Sequence, residues 1–412
     1  MKYSRLRGTR DILPGESALW QHVIIKSFEI FNSCNYSFIL TPTIEDKNLF
    51  IRGTGEGTDI VQKEMYDFKD KKGRDIVLRP EGTPSIVRAY IENSMPEKSN
   101  VYYMGQMFRY EKPQKGRNRE FYQIGAESFG DKTPYKDAEI IKMADSILKN
   151  TGVKDYKLHI NTLNCPACGG EYIKKLKDYF EKNRDKLCGG CINKLDRTPL
   201  RILDCKNESC GKVISGAPKL KDNLCGPCKN HFNEVKSRLK DIGVEFTEDT
   251  NLVRGLDYYT GVVFEFITGR LGRQQNTLLA GGRYDRLVKE LGGKNVPATG
   301  FGLGIDRVVD VLIQEGNIKP EESVDCFVIT DEKSVSCGFE TLFKLREKGI
   351  KSAMNFESKS FKSQMREADS RNARYAVIIG ENELKNNTVS VKNMKDGSQK
   401  EVKLEDFISG IK

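Results

Sequence analysis

The chain holds 412 residues, 38 % hydrophobic and 31 % charged, which is enough apolar material for two or three cores and excludes a short disulfide-stapled scaffold. No run approaches the roughly 18 to 20 uninterrupted apolar residues of a membrane span, and residues 1–16 lack the apolar block of a secretory signal; a cytoplasmic protein with no membrane partner is expected. Sixty-eight basic residues against 58 acidic ones leave a net charge of +10, which suits a polyanionic partner without requiring one.

In chain order, Leu19, Val23, Ile24, Phe28 and Phe31 recur at helical spacing and predict an amphipathic helix from residue 16 to about 34. Residues 36–44, rich in aromatic and β-branched side chains, predict an extended run, and Pro42, which lacks a ladder donor, places it at an edge or an interface. Two further extended runs, 101–110 and 120–129, flank the basic, Pro- and Gly-punctuated stretch 111–119 and predict an antiparallel hairpin. Near residue 165 the composition turns to cysteine pairs and lysines, and it turns back near 247. This is an inserted module, bounded at 160–246, with 15 basic and 9 acidic residues between 165 and 236. Beyond it come an extended run at 262–267, a glycine-rich turn entering a helix over 299–315, and a linker at 316–320. From residue 325 the pattern alternates: strand 326–330, helix near 333–348, strand 351–356, helix near 359–371, strand 375–379. A separate α/β domain over 323–412 follows, leaving a first domain over 1–320 that the module interrupts.

Period-two alternation puts Gln123 and Glu127 on one face of the second hairpin strand, with Arg109 at the end of the first. Either strand alone is a solvated sheet face; with the basic loop, the set could hold phosphates beside a small polar ligand. Arg79-Pro80-Glu81-Gly82-Thr83 places an acid and a hydroxyl at a strand end, which by itself is ordinary turn chemistry. Leu252-Val253-Arg254-Gly255-Leu256-Asp257-Tyr258-Tyr259 sets an arginine and two tyrosines around a glycine, as an aromatic core with a surface ion pair also would. Ala280-Gly281-Gly282-Arg283-Tyr284-Asp285 and Gly300-Phe301-Gly302-Leu303-Gly304-Ile305-Asp306-Arg307 fit neither GxGxxG nor the phosphate-loop pattern, although an arginine in a first helical turn can reach a phosphate. His22, His159 and His231 lie in none of these stretches and read as structural.

Eight of the eleven cysteines fall between 165 and 228. Cys165/Cys168, Cys188/Cys191 and Cys225/Cys228 are CxxC pairs, and Cys205/Cys210 has four intervening residues; reduced pairs so spaced point to metal before disulfide. Eight thiolates suit two structural four-cysteine zinc sites. The favoured partition has the first two pairs sharing one ion and the last two the other, with interleaving left open. On this reading the metal folds the module, and its removal spares chemistry elsewhere.

In this order the stretches resemble the class II aminoacyl-tRNA synthetases and, within them, the histidyl-tRNA synthetase family. Gly8-Thr9-Arg10-Asp11-Ile12-Leu13-Pro14 resembles the family's opening; Phe108-Arg109-Tyr110-Glu111 through Arg117 to Phe121 resembles its motif 2, and 302–307 its motif 3. Stretches 254–259 and 280–285 are similar to its two histidine-specific signatures. The resemblance implies an α+β fold: a class II antiparallel sheet flanked by helices, carrying the cysteine-rich insertion and followed by a C-terminal α/β anticodon-binding domain. It implies ATP with Mg2+, L-histidine and tRNA(His) as ligands, a homodimer, and activation of histidine as its adenylate before transfer to tRNA.

Carried over to these residues, the resemblance makes Arg254 and Arg109 catalytic. Arg109 would meet the α-phosphate and Arg307 the γ-phosphate, with Glu111, Arg117 and Phe121 around the nucleotide. Glu81, Thr83 and Gln123 would hold the histidine α-amino group, Glu127 and Tyr259 would read the imidazole, Tyr258 and Tyr284 would line the pocket, and Arg254 would meet the carboxylate. The alternative is a synthetase-like regulatory subunit of histidine biosynthesis, expected to lack the motif arginines and the C-terminal domain, both of which stand in this sequence. A zinc-dependent nucleic-acid-binding protein would explain only the module.

Overall fold

The computed structural model describes residues 3–114, 116–163, 165–205, 207–272, 275–316, 323–357 and 359–411, in two units, 1–318 and 319–412. The amphipathic pattern near the start forms the helix Glu16–Ser33, which buries Leu19, Trp20, Val23 and Phe31. Its partner is an eight-stranded sheet in the spatial order Ser37–Phe38, Ser99–Phe108, Glu120–Phe129, Ala298–Gly304, Thr277–Arg283, Val262–Ile267, Lys157–Thr162 and Thr247–Glu248. The six central strands run antiparallel to their neighbours, and the two short edge strands pair parallel. Alternation then assigns the faces. Tyr102 stacks on Phe31 with ring centroids 4.7 Å apart, on the side where helices Pro134–Thr151 and Ile305–Glu315 bring Ile140, Ile147, Val308 and Leu312. Tyr103 points the other way, toward Ile86, Tyr90, Phe129 and Tyr284. Phe31 is fully buried, and truncating such a ring to Ala costs about 3–5 kcal/mol.

The predicted hairpin is present over Ser99–Phe108 and Glu120–Phe129, in register from Ser99 opposite Phe129 to Phe108 opposite Glu120. Two other readings are corrected. Residues 36–44 do not form one extended strand: ladder pairing is confined to Ser37–Phe38 and Ile44–Asp46, which belong to different sheets. Between them Arg79 Nη1 donates to Thr41 O at 2.9 Å and to Pro42 O at 3.4 Å, so a guanidinium occupies carbonyls that a strand neighbour would use. The glycine-rich stretch from 299 is a central strand, Ala298–Gly304, before the helix Ile305–Glu315 begins. Its glycines answer to side chains across the sheet: a Cβ at Gly300 would lie 1.7 Å from Glu127 Oε2, and one at Gly302 3.1 Å from Gln123 Nε2.

The inserted module leaves the sheet after Thr162 and returns before Thr247, and its helices Pro166–Lys182, Glu208–Ser215 and Gly226–Asp241 surround short turns. Its core joins Tyr172, Leu176, Phe180, Ile202 and Leu203 to Cys191 and Cys210, and continues into Leu252, Val253 and Val263 of the sheet domain.

The second unit carries the predicted alternation. Strands Cys326–Thr330, Ser352–Met354 and Tyr375–Ile379 are parallel and are joined through helices Val335–Glu347 and Phe361–Ser370. Gln364 reaches back from its helix to bond both Thr330 N and O, at 3.2 and 2.7 Å. An antiparallel hairpin, Val389–Asn393 with Gln399–Val402, extends the sheet beyond the predicted strands. The architecture is α+β in both units taken together, and no helix among the described residues is long and apolar enough to cross a membrane.

Candidate active site

One cavity is lined by residues drawn from 81–83, 103, 109–123, 254–259, 277–280 and 302–307. Its two ends differ in charge. At the polar end, the strand Asp75–Leu78 delivers Glu81 and Thr83, the latter opening the helix Thr83–Glu92 with proline in its first turn. Glu81 is buried and accepts from Thr54 Oγ1 at 2.6 Å and from the Tyr258 hydroxyl at 2.9 Å; burial raises its pKa. Tyr103 packs against Gly82 and Gly125, where an added Cβ would lie 2.4 and 2.5 Å from its ring. Gln123 stands on the wall beside Glu81, Thr83, Tyr258 and Tyr259.

Glu127 and Tyr284 are not on the wall but directly behind it. The Thr83 hydroxyl donates to Glu127 Oε1 at 2.8 Å, and the Tyr284 hydroxyl to Oε2 at 2.5 Å. Burial pushes the Glu127 carboxyl up to about 8, against the pull of those two donors. Burial likewise lifts Tyr259, to about 12.

Arginines make up the opposite end. Arg109 is fixed by its Nε donating to Pro80 O at 2.9 Å, and its guanidinium lies 5.2 Å from the Phe121 ring centre. Arg307, in the first turn after Gly304, donates to Gly116 O at 3.1 Å and Thr277 O at 2.8 Å. Burial lowers its pKa, and so do Arg117 and Arg109, so three guanidiniums repel one another across the cavity. Glu111 offsets part of that charge through a 2.6 Å pair with Arg117. Such a cluster is paid for by an anion with several negative oxygens.

Arg254 stands where the ends meet. Its Nη1 donates to Glu265 Oε1 at 2.7 Å, and its guanidinium lies 5.8 Å from the Tyr259 ring centre. Burial, which acts to lower its pKa, is outweighed by Glu265, so the charge is kept. Its Nε is buried without a hydrogen-bond partner among the described residues.

The eight cysteines meet in two sets, Cys165, Cys168, Cys225 and Cys228 in one and Cys188, Cys191, Cys205 and Cys210 in the other, the sulfurs of each within 4.8 Å of one another. The favoured sequential partition is therefore corrected to a nested one. An insertion must leave and re-enter its host at neighbouring points, so its first pair, heading the helix Pro166–Lys182, meets its last pair, heading Gly226–Asp241. The middle pairs close the second set inside. Sulfur separations of 3.7 Å (Cys165–Cys168), 3.8 Å (Cys165–Cys225) and 3.9 Å (Cys188–Cys205) suit one tetrahedral ion with sulfurs at about 2.3 Å. Hydrogen bonding led by the Cys191 backbone N–H brings Cys188 down to about 7, whereas burial raises Cys191, Cys205 and Cys228.

Reading the residues in order missed Thr54, Tyr103 and Glu265. Thr54 falls in no pattern, and Tyr103 and Glu265 sit inside the extended runs 101–110 and 262–267 without a motif of their own; only contact with Glu81, Gly82 or Arg254 marks them.

A family model described as Histidyl-tRNA synthetase matches residues 8–166 and 209–308, and one described as Anticodon binding domain matches 329–412. The chain is 45 % identical to the histidine--tRNA ligase of Halothermothrix orenii over 98 % of this chain and 97 % of that one. It is 44 % identical to that of Acetivibrio thermocellus over 98 % of each. Among solved structures, apo histidyl-tRNA synthetase from S. aureus superposes with a TM-score of 0.81 at 35 % identity, covering 99 % of both chains.

Proposed function

Because this chain belongs to the histidyl-tRNA synthetase family, we infer that it is a histidine--tRNA ligase, which activates L-histidine with ATP and passes it to tRNA(His). The observation that carries the assignment of roles is Arg254, its guanidinium held by Glu265 between an acid-and-hydroxyl end and an arginine end of one cavity. In activation an oxygen of the histidine carboxylate bonds to the α-phosphorus of ATP, the bond from that phosphorus to the bridging oxygen breaks, and pyrophosphate leaves. The substrate brings its own nucleophile, so the protein's task is to place anions and offset charge. Arg254 and Arg109 do this at the carboxylate and α-phosphate, and Arg307 at the γ-phosphate. Glu111, Arg117 and Phe121 frame the nucleotide.

Glu81, Thr83 and Gln123 hold the α-ammonium of histidine. Tyr258 fixes Glu81, and Tyr259 faces the imidazole, with Glu127 behind the wall and its carboxyl set by Tyr284 and Thr83. A side chain lacking the ring nitrogens leaves such buried groups unpaired, which discriminates by roughly 10⁴-fold or more. In transfer, a ribose hydroxyl at the tRNA end attacks the adenylate carbonyl carbon and AMP leaves. The second unit, matched as an anticodon-binding domain, serves tRNA recognition.

Magnesium would neutralise the phosphates. Glu111, a carboxylate on the cavity wall at the arginine end, would help to hold it. Zinc fits both cysteine sets, and paired reduced thiols suit a cytoplasmic setting. A homodimer is supported by exposed apolar side chains around the first edge strand, Phe38, Leu40, Ile44 and Ile25, each more than half exposed. Light scattering at micromolar concentration should give twice the chain mass; the mass of one chain contradicts it. Histidine-dependent exchange of pyrophosphate into ATP, followed by charging of tRNA(His), tests the whole reading. A regulatory subunit would show neither.

A further inference from the structure

The cysteine-rich module reaches the active site through one side chain. Arg201 lies in the turn Pro199–Ile202; Ile202 and the following Leu203 are buried in the module core with Cys191 and Cys210, and the backbone N–H of Cys205 donates to Ile202 O at 3.0 Å. Arg201 is itself buried, at 8 % exposure. Its Nη2 donates to Gly255 O and to Asp257 Oδ1, both at 2.8 Å, and its Nη1 to Gly57 O at 3.4 Å. Arg254, Leu256, Tyr258 and Tyr259 line the cavity while Gly255 and Asp257 do not, so the guanidinium holds the loop from outside the cavity wall. Asp257 in turn fits against Gly55, where an added Cβ would lie 2.4 Å from Asp257 Oδ2, and its backbone N–H donates to Thr54 O at 3.2 Å. Thr54 is the residue whose hydroxyl holds Glu81. Both supports of the polar end, the 254–259 loop and the 54–57 turn, therefore meet at one arginine of the module. Its contacts include no residue of the ATP end.

We propose that Arg201 is a positioning residue for histidine: by holding Gly255 O and the Asp257 carboxylate it sets the loop that presents Arg254, Tyr258 and Tyr259. The integrity of the cysteine set that includes Cys205 is then felt in the histidine pocket and not at the nucleotide. This differs from the expectation drawn from sequence, which kept the module apart from activation, and it rests on the reading of the polar end as the histidine pocket.

The test uses the full-length chain and histidine-dependent pyrophosphate exchange, with KM measured for histidine and for ATP. Arg201→Ala should raise KM for histidine by about tenfold or more and leave KM for ATP within about twofold. Asp257→Ala should shift KM for histidine in the same direction, and the double variant should be no worse than Arg201→Ala, because the Arg201–Asp257 contact is already lost there. Arg201→Lys, which keeps the charge but not the forked geometry, should fall between. A lowered kcat with both KM values unchanged is what loss of properly folded enzyme gives, and it would overturn the proposal; so would effects that multiply in the double variant. If Arg201→Ala does not fold, Asp257→Ala leaves the module untouched and decides the question by the same KM split. A wild-type chain without histidine-dependent exchange overturns the reading of the site and this inference with it, whereas active wild type with unchanged variants overturns the inference alone.

Discussion

The Tyr284 hydroxyl donates to Glu127 Oε2 at 2.5 Å while Thr83 holds Oε1, so both oxygens of a fully buried carboxyl are set by neutral donors. Burial raises the Glu127 pKa from 4.5 to about 8, and the folded protein therefore favours its protonated form. The sign for stability follows from linkage: a carboxyl raised on folding contributes stability that is fully present below its unfolded pKa and is lost as the pH rises through about 8. Glu127→Gln removes that dependence while keeping the shape. Urea unfolding of both proteins at several pH values should show the Gln variant gaining on wild type as the pH rises from about 5 to about 9, by an amount on the order of a few kcal/mol. A constant gap would mean that Glu127 is not buried as described. The same variant should lose discrimination for histidine in pyrophosphate exchange.

The nested cysteine sets predict a count. Purified without chelator, the chain should carry about two zinc ions. Replacing Cys165 and Cys225 together by serine removes two ligands from one set and none from the other, so elemental analysis should fall to about one. Sequential pairing would take one ligand from each site, and loss of both ions would restore it.

Removing residues from 323 onward should separate the two half-reactions. The cavity residues end at Arg307, and the two units divide after residue 318. Pyrophosphate exchange is expected to stay within a few-fold of wild type while tRNA charging falls at least tenfold. Full charging by the truncated chain would remove the second unit from tRNA recognition.

Much of this was legible from residue patterns, where the cause is local. The helix Glu16–Ser33, the hairpin and the alternation after residue 325 follow from periodicity that each segment carries by itself. The strand Ala298–Gly304 was not legible, because three glycines in seven residues read locally as a turn, and the reasons for Gly300 and Gly302 are Glu127 and Gln123 on another strand. Partition of the cysteines depends on where the module rejoins its host, which spacing does not encode. Within the cavity, motif resemblance named the arginines and most of the acid, amide and tyrosine residues that the fold brings together there. It could not supply their supports, since the pairs Thr54–Glu81, Arg201–Asp257 and Tyr284–Glu127 lie 27, 56 and 157 positions apart.

Adenylate formation by Arg254→Ala tests the central claim most directly, because Arg254 stands on the cavity wall between its two ends. Single-turnover formation of histidyl-adenylate should fall by about 10²- to 10³-fold, the loss expected when a group stabilising transition-state charge is removed. Melting should remain close to wild type, since Glu265 keeps its bond from Thr277 at 2.9 Å. A folded Arg254→Ala chain that forms adenylate at the wild-type rate would contradict the account.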